Sequence, residues 1–410
     1  MQNVRQDHHP VGRMSYREFV VFIAALMATN ALAIDSMLPA LGEISRDLGL
    51  ATENERQWII TAYLLGFGAS QLFYGPIADR FGRRPVLAFG LVVYVGCSVI
   101  SGLANTFETM LVARVLQGVG AAATRVLAVS IVRDCYAGRQ MARVMSMAMI
   151  IFMLIPILAP SFGQAIMLVA PWHWVFGLLG VFGAVVLAWM LARLPETLRP
   201  EDRRPIETGA ILAAVRACLT TREALGYMLA NTLALGALFG YINSTQQIFS
   251  DVFHAEHLFT TIFALTAAFM AAASLLNARL VERLGMRLLS HSALLGYIAF
   301  AAVHYLVAAG GVETLPSFFL LQSGVMFCFG VMSGNFGAMS MQPLGHIAGT
   351  ASSVQGFCTT VGGALIGFAI GQHFDGTTVP MAAGFVLCGL ATLAVVLTVE
   401  RGRLFRARNA

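Results

Sequence analysis

Long apolar runs, interrupted by short polar segments, set the pattern of this chain. The first extends from about Glu18 to Ala40, and eleven more follow at 58–78, 85–104, 108–132, 143–168, 172–193, 223–243, 259–279, 288–309, 317–341, 349–372 and 378–399. Each is close to the roughly 20 apolar residues needed to cross a bilayer core. The runs are continuous and lack the ten-residue alternation of an outer-membrane barrel. They predict an all-α polytopic membrane protein with twelve transmembrane helices and both termini on one side. Arg13, Arg17 and Ala31-Leu32-Ala33 imitate a cleavable signal peptide. The apolar pattern resumes at Met37 and Leu38, so an uncleaved first helix is expected.

The longest connection, from Pro195 to about Arg222, divides the runs six and six. The expected units are an N-terminal tail (1–17), a six-helix bundle (18–194), a linker (195–222), a second bundle (223–400) and a C-terminal tail (401–410). Within the linker, 211–219 reads as an amphipathic surface helix or as a simple tether. Shifting the chain by 203 residues lays Ala278–Arg287 on Gly75–Arg84. Glu282 then falls on Asp79, Arg283 on Arg80, Gly285 on Gly82 and Arg287 on Arg84, with departures at Ala278 and Met286. Two pseudo-symmetric halves with a site between them follow from such a repeat.

Composition agrees: 58% of the 410 residues are hydrophobic and 11% charged, against about 25% charged in soluble domains. There is no lysine, and all 26 basic residues are arginine. Arg80, Arg83, Arg84, Arg133, Arg139, Arg143, Arg279, Arg283 and Arg287 fall on the side of the termini. Arg46 and Arg56, accompanied by Glu43, Asp47, Glu53 and Glu55, fall on the other. That bias puts both termini in the cytoplasm. Arginines confined to short loops argue against nucleic acid as a partner. The six cysteines (97, 135, 218, 328, 358 and 388) are scattered and form no metal or redox cluster. His8 and His9 read as part of a solvated tail. No cofactor, metal or catalytic motif is expected, and a monomer is the default.

A few polar residues interrupt the apolar runs. Asp35 lies 16 residues beyond Phe19, roughly 24 Å along a helix. A carboxylate there is costly unless paired or protonated, so it can exchange a proton for a ligand. The alternative is an early helix end with a hydrated Asp35. Arg114, placed at similar depth, is its expected companion, either biasing Asp35 toward ionisation or forming a static ion pair. Arg125 follows eleven residues later on the same helix face. It either lines the cavity and attracts anionic or polar substrates, or pairs near the inner interface. Asn30, Tyr63, Gln117, Tyr241, Asn243 and Asn335 are the other expected cavity residues. The second half has no acid within its apolar runs, and His304 there is either a proton acceptor or a packed, satisfied side chain. Pro156, Pro160 and Gly163 bend the fifth run and permit close packing. In the loop Gly75-Pro76-Ile77-Ala78-Asp79-Arg80-Phe81-Gly82-Arg83-Arg84-Pro85, Asp79 and Arg83 are the expected gate lock.

That loop resembles the major facilitator superfamily signature Gly-x-x-x-Asp-Arg-x-Gly-Arg-Arg. Arg114-Val115-Leu116-Gln117-Gly118-Val119-Gly120 resembles the superfamily's helix-4 motif, in which the arginine is implicated in proton coupling. Ala159-Pro160-Ser161-Phe162-Gly163-Gln164 is similar to the antiporter motif Gly-Pro-x-x-Gly-Gly, with Ala159 and Gln164 replacing two glycines. Asp35-Ser36-Met37-Leu38-Pro39-Ala40-Leu41, the stretch Gly345–Ser352 and Asp375-Gly376-Thr377 resemble the Bcr/CflA drug-resistance branch, with a departure at 244–248. The resemblance implies a proton-coupled exporter of small amphipathic drugs in the bacterial inner membrane. It also implies that Arg83 reaches Asp134, in a lock that holds the outward-open state and breaks on inward opening. Export of a sugar or other metabolite is the rival transport reading, and a non-transporting sensor is the rival outside transport.

Overall fold

The computed structural model describes residues 14–203, 205 and 208–405. His8, His9 and Arg13 lie outside them. Among the described residues there are twelve long helices: α1 (Tyr16–Asp35), α3 (Gln57–Phe81), α4 (Arg83–Gly102), α5 (Phe107–Cys135), α6 (Gly138–Met167), α7 (His173–Arg193), α9 (Arg222–Gln247), α10 (Phe259–Leu284), α11 (Met286–Ala309), α12 (Leu315–Met341), α13 (Ala348–Gln372) and α14 (Val379–Val399). Two shorter helices are α2 (Leu41–Asp47) and α8 (Thr208–Thr220), the latter within the linker. Among the described residues, eleven of the long helices are apolar enough to span a membrane by composition. The twelfth, α3, carries Gln57, Gln71, Asp79 and Arg80 and is packed between α5 and α13.

The two halves repeat one packing scheme. In the first half α3 and α4 both pack on α5, α4 on α7, and α1 on α5 and α6. In the second, α10 and α11 both pack on α12, α11 on α14, and α9 on α12 and α13. The signature loop and its repeat turn alike: Gly82 (φ 99°, ψ 159°) and Gly285 (φ 81°, ψ 154°) adopt a conformation open only to glycine. A glutamate after the sixth helix of each half ties down the chain beyond that turn. Glu196 accepts hydrogen bonds from the amides of Arg83 (2.8 Å) and Arg84 (3.1 Å). Glu400 accepts from Arg287 Nε at 2.8 Å.

The halves meet along α3–α13 and α6–α10. Large apolar side chains such as Phe73, Phe89, Phe162 and Leu320 cover the outer surface, as a lipid-facing belt requires. The start of α1 and the end of α7 lie at one end of the bundle, called here the terminal end. Glu18 near the start of α1 meets Arg193 at the end of α7 at 2.8 Å.

The first apolar run is shorter as a helix than its hydrophobicity suggests. It ends at Asp35, not near Ala40. The Ser36 hydroxyl bonds back to the Leu32 carbonyl at 2.6 Å, and Pro39 opens a separate 3₁₀ turn over Leu38–Ala40.

Candidate functional site

Arg114 is fully buried on α5 and organises the first half. Its Nε donates to the Ile59 carbonyl (3.1 Å), Nη1 to Gln117 Oε1 (2.5 Å) and Nη2 to the Ala33 carbonyl (3.0 Å). Its guanidinium lies 4.5 Å from the Tyr63 ring centre and 5.8 Å from that of Phe176. Gln117 donates onward to Ser98 on α4 at 2.7 Å, and Tyr63 donates to Asn30 on α1 at 3.0 Å. Carbonyl dipoles and ring faces thus hold the charge.

The expected pairing of Arg114 with Asp35 is absent among the described residues. Arg114 instead grips the carbonyl of Ala33, two residues earlier, because the end of α1 leaves that oxygen without a helical partner. Asp35 is 6% exposed. It forms no hydrogen bond or ion pair among the described residues, and it borders neither of the cavities below. The early helix end has therefore not placed Asp35 in water.

The bent helix α6 presses on this turn. Pro156 and Pro160 lie inside it, and Gly163 faces Ser36 so closely that a Cβ would sit 1.8 Å from the Ser36 carbonyl oxygen.

At the terminal end, Arg83 is 2% exposed. It donates from Nε to Asp134 (2.8 Å) and from Nη1 to Asp79 (2.6 Å). Arg80 is exposed beside the Phe81 ring. Gly75 faces α13, where a Cβ would lie 3.5 Å from Ser353 Oγ.

Deeper from this lock, a cavity of about 890 Å³ separates the halves, lined by Gln71, Arg125, Ser130, Asn231, Gln355 and Thr359 among others. Of the seven cavity residues expected from sequence, Arg125 borders it. Asn30, Tyr63 and Gln117 belong to the Arg114 network. Asn335 is tied to Asn277 at 2.8 Å. Tyr241 and Asn243 are buried within the second half. Their polar atoms face protein because neighbouring helices cover them.

The opposite end is bridged across the halves by residues that sequence reasoning leaves unassigned. Arg56 donates to Gln246 (2.6 Å) and lies 3.4 Å from Asp251. Gln57 donates to Gln247, and Gln247 to Asn54, both at 2.7 Å. Gln372 donates to the Asn54 carbonyl at 2.8 Å. A second cavity, about 540 Å³, lies against this bridge and includes Glu43, Arg46, Gln164 and Asp251. The departure at 244–248 is thus the second half's share of the bridge, and a π-helical turn at Ile248–Val252 follows it. The only hint in the sequence is the polar pair Gln246-Gln247 at the end of an apolar run. The lock and the bridge coexist. The expected alternation, in which an intact lock accompanies opening at the far end, is not seen.

In the second half His304 Nε2 lies 2.7 Å from Glu313 Oε1, with both side chains buried, and the other Glu313 oxygen accepts from Thr378. Glu313 follows α11 in sequence yet folds inward, so a buried acid is present where the apolar runs show none.

The model of the Major Facilitator Superfamily matches residues 20–367. The chain is 28% identical to a bicyclomycin resistance protein homolog of Haemophilus influenzae, over 95% of this chain and 96% of that protein. It is 30% identical to the multidrug resistance protein MdtL of Escherichia fergusonii, over 94% and 96% of the two chains. A crystal structure of a D-xylose–proton symporter superposes with a TM-score of 0.71 at 14% identity, covering 97% of this chain and all of that one. The last likeness speaks to fold alone.

Proposed function

The chain belongs to the major facilitator superfamily, and on that premise we propose that it exports small amphipathic drugs in exchange for protons by alternating access. Similarity along nearly the whole chain to proteins named for bicyclomycin and multidrug resistance supports the substrate class. The observation that carries the coupling is Asp35, a buried carboxylate without a partner among the described residues.

An unpaired carboxylate in this setting is stable when protonated. On ionising, it competes for the nearest movable cation. Arg114 holds the Ala33 carbonyl two residues away, so loss of the proton draws its guanidinium from that oxygen and loosens the end of α1. Gly163 transmits the change to α6, which packs against α10 of the other half. Asp35 thereby links its protonation to the packing between halves. Arg114 is a positioning residue that makes protonation reversible.

The arginine-rich terminal end is cytoplasmic, by the positive-inside bias, and the membrane is the bacterial inner membrane. The 890 Å³ cavity is then the cytoplasmic entrance, and the Arg56 bridge closes the outer side. The protein works as a monomer with two six-helix bundles joined by the 195–222 linker.

The test is proton movement in proteoliposomes on adding a panel of neutral and charged drugs, with wild type and Asp35→Asn side by side. Substrate-evoked proton movement that disappears in Asp35→Asn is expected. Movement retained in the variant removes Asp35 from coupling. No movement in wild type, with drug binding intact, rejects proton exchange.

A further inference from the structure

Arg125 is a site cation whose charge no group among the described residues answers. It lies on α5, exposed to the 890 Å³ cavity, and makes no hydrogen bond, ion pair or ring contact among the described residues. Every other charged side chain lining that cavity is at its mouth. Arg83, Asp79 and Asp134 are consumed in the lock. Arg133 is eight residues further along α5, roughly 12 Å nearer the terminal end. Asp202 belongs to the linker. Among the described residues, the inner part of the cavity therefore holds a single cation without an acid.

An arginine cannot shed its proton to escape this position. A guanidinium inside a membrane bundle persists where something answers it: a carboxylate, a set of carbonyls, or a ligand. Arg114, on the same helix, shows the second solution in full. Among the described residues, Arg125 has neither of the protein's own solutions. Ser130, Asn231, Gln355 and Thr359 line the same cavity with polar groups that carry no charge, and Val126 and Val129 give it apolar surface.

We infer that Arg125 is an anion-recognition site, and that the cavity selects amphipathic molecules with one carboxylate, or a like planar oxyanion, attached to an apolar body. The planar fork of the guanidinium donates two parallel hydrogen bonds to the oxygens of such a group. The valine wall takes the apolar body. A ligand bearing only a cation meets an unanswered like charge and is disfavoured. This inference rests on the efflux reading for its transport consequence but not for binding.

The test separates the two. Purified full-length protein in nanodiscs is titrated with three probes that share a naphthalene ring: naphthylacetate, naphthylacetamide and naphthylethylammonium. Wild type is expected to bind the carboxylate at least about tenfold tighter than the amide, and the ammonium weakest. Arg125→Gln loses the carboxylate preference while its amide affinity stays within about twofold, which also reports that the variant is folded. Arg125→Lys keeps part of the preference, and Arg133→Gln keeps nearly all of it. A wild type that binds the carboxylate no better than the amide, including one that binds neither, overturns the inference. So does a preference that survives Arg125→Gln. Proton-driven efflux of the amide is measured in parallel. If binding shows the preference but no probe is exchanged for protons, the efflux reading fails and the site stands. If all three probes are exported alike, the site fails and the efflux reading stands.

Discussion

Gly163 and Ser36 touch backbone to backbone: a Cβ built on Gly163 would lie 1.8 Å from the Ser36 carbonyl oxygen. The carbonyl belongs to the turn that ends α1 just after Asp35, and it cannot rotate away as a side chain would. Gly163→Ala should therefore push α6 off α1 and destabilise the protein by about 1–3 kcal/mol. Substrate-evoked proton movement should fall with it. Gly334→Ala is the control, since open space surrounds that glycine, and its melting temperature in detergent should match wild type. Equal melting temperatures for both variants would show that α6 has freedom the packing does not suggest.

The bridge at the end opposite the termini yields a second expectation. Arg56 is almost wholly buried while Asp251 is 39% exposed, so the pair is partly screened by solvent. Arg56→Gln removes that contact and the bond to Gln246 together. A loss of about 1–2 kcal/mol, or five- to thirtyfold in population, is reasonable for the closed outer end. Thr61 lies one turn deeper on α3 and is fully buried. With the native cysteines replaced, a Thr61→Cys reporter should react with a membrane-impermeant maleimide at least about fivefold faster once Arg56→Gln is introduced. An unchanged rate would mean that the remaining Gln57, Gln247 and Gln372 bonds hold this end alone.

The bridge also illustrates what can be read from sequence. The spans are legible because burial in lipid demands continuous apolar length, and the repeat is legible because Gly82 and Gly285 serve one turn. The partner of Arg114 is not. A search by charge and depth points to Asp35, whereas the protein uses the carbonyls of Ala33 and Ile59, and every residue has a carbonyl. The end of α1 is hidden for a similar reason. Apolar residues continue past Asp35, and the Ser36 back-bond and Pro39 that stop the helix leave hydrophobicity unchanged. The contacts from Asn54–Gln57 to Gln246–Asp251 join positions about 190 residues apart. No local period encodes them.

Glu400 gives a pH dependence. Burial alone would raise its pKa, but hydrogen bonds from Tyr227 (2.6 Å) and Arg287 (2.8 Å), with the Arg287 charge, outweigh burial and hold it below the ordinary carboxylate range. A carboxylate depressed in the folded state contributes stability that is fully present above its unfolded pKa, roughly 4.3. The contribution is lost as pH falls through the folded value. Melting temperature in detergent should therefore fall more steeply below about pH 4.3 for wild type than for Glu400→Gln. At neutral pH the variant should melt lower, having lost a charged acceptor that joins α9, α11 and the end of α14. Parallel curves for the two proteins would assign the acid sensitivity to other carboxylates.

A carboxylate substrate at Arg125 makes an electrical prediction that neutral drugs do not. Asp35 carries one proton inward per cycle in the proposed exchange. Outward movement of a singly charged anion is equivalent to inward movement of one more positive charge, so the cycle moves two charges. A neutral substrate moves one, and a monovalent cation leaves no net charge moved. An inside-negative potential contributes about 2.3 kcal/mol per elementary charge per 100 mV. It should accelerate export of naphthylacetate about twice as steeply, on a logarithmic scale, as export of naphthylacetamide. Proteoliposomes clamped by potassium gradients and valinomycin supply the measurement, with the proton gradient held constant. Equal slopes for acid and amide would mean that the acid leaves protonated. In that case Arg125 serves to bind the anion at the inner face, and the proton acquired on release from it is a second one, separate from the proton of Asp35.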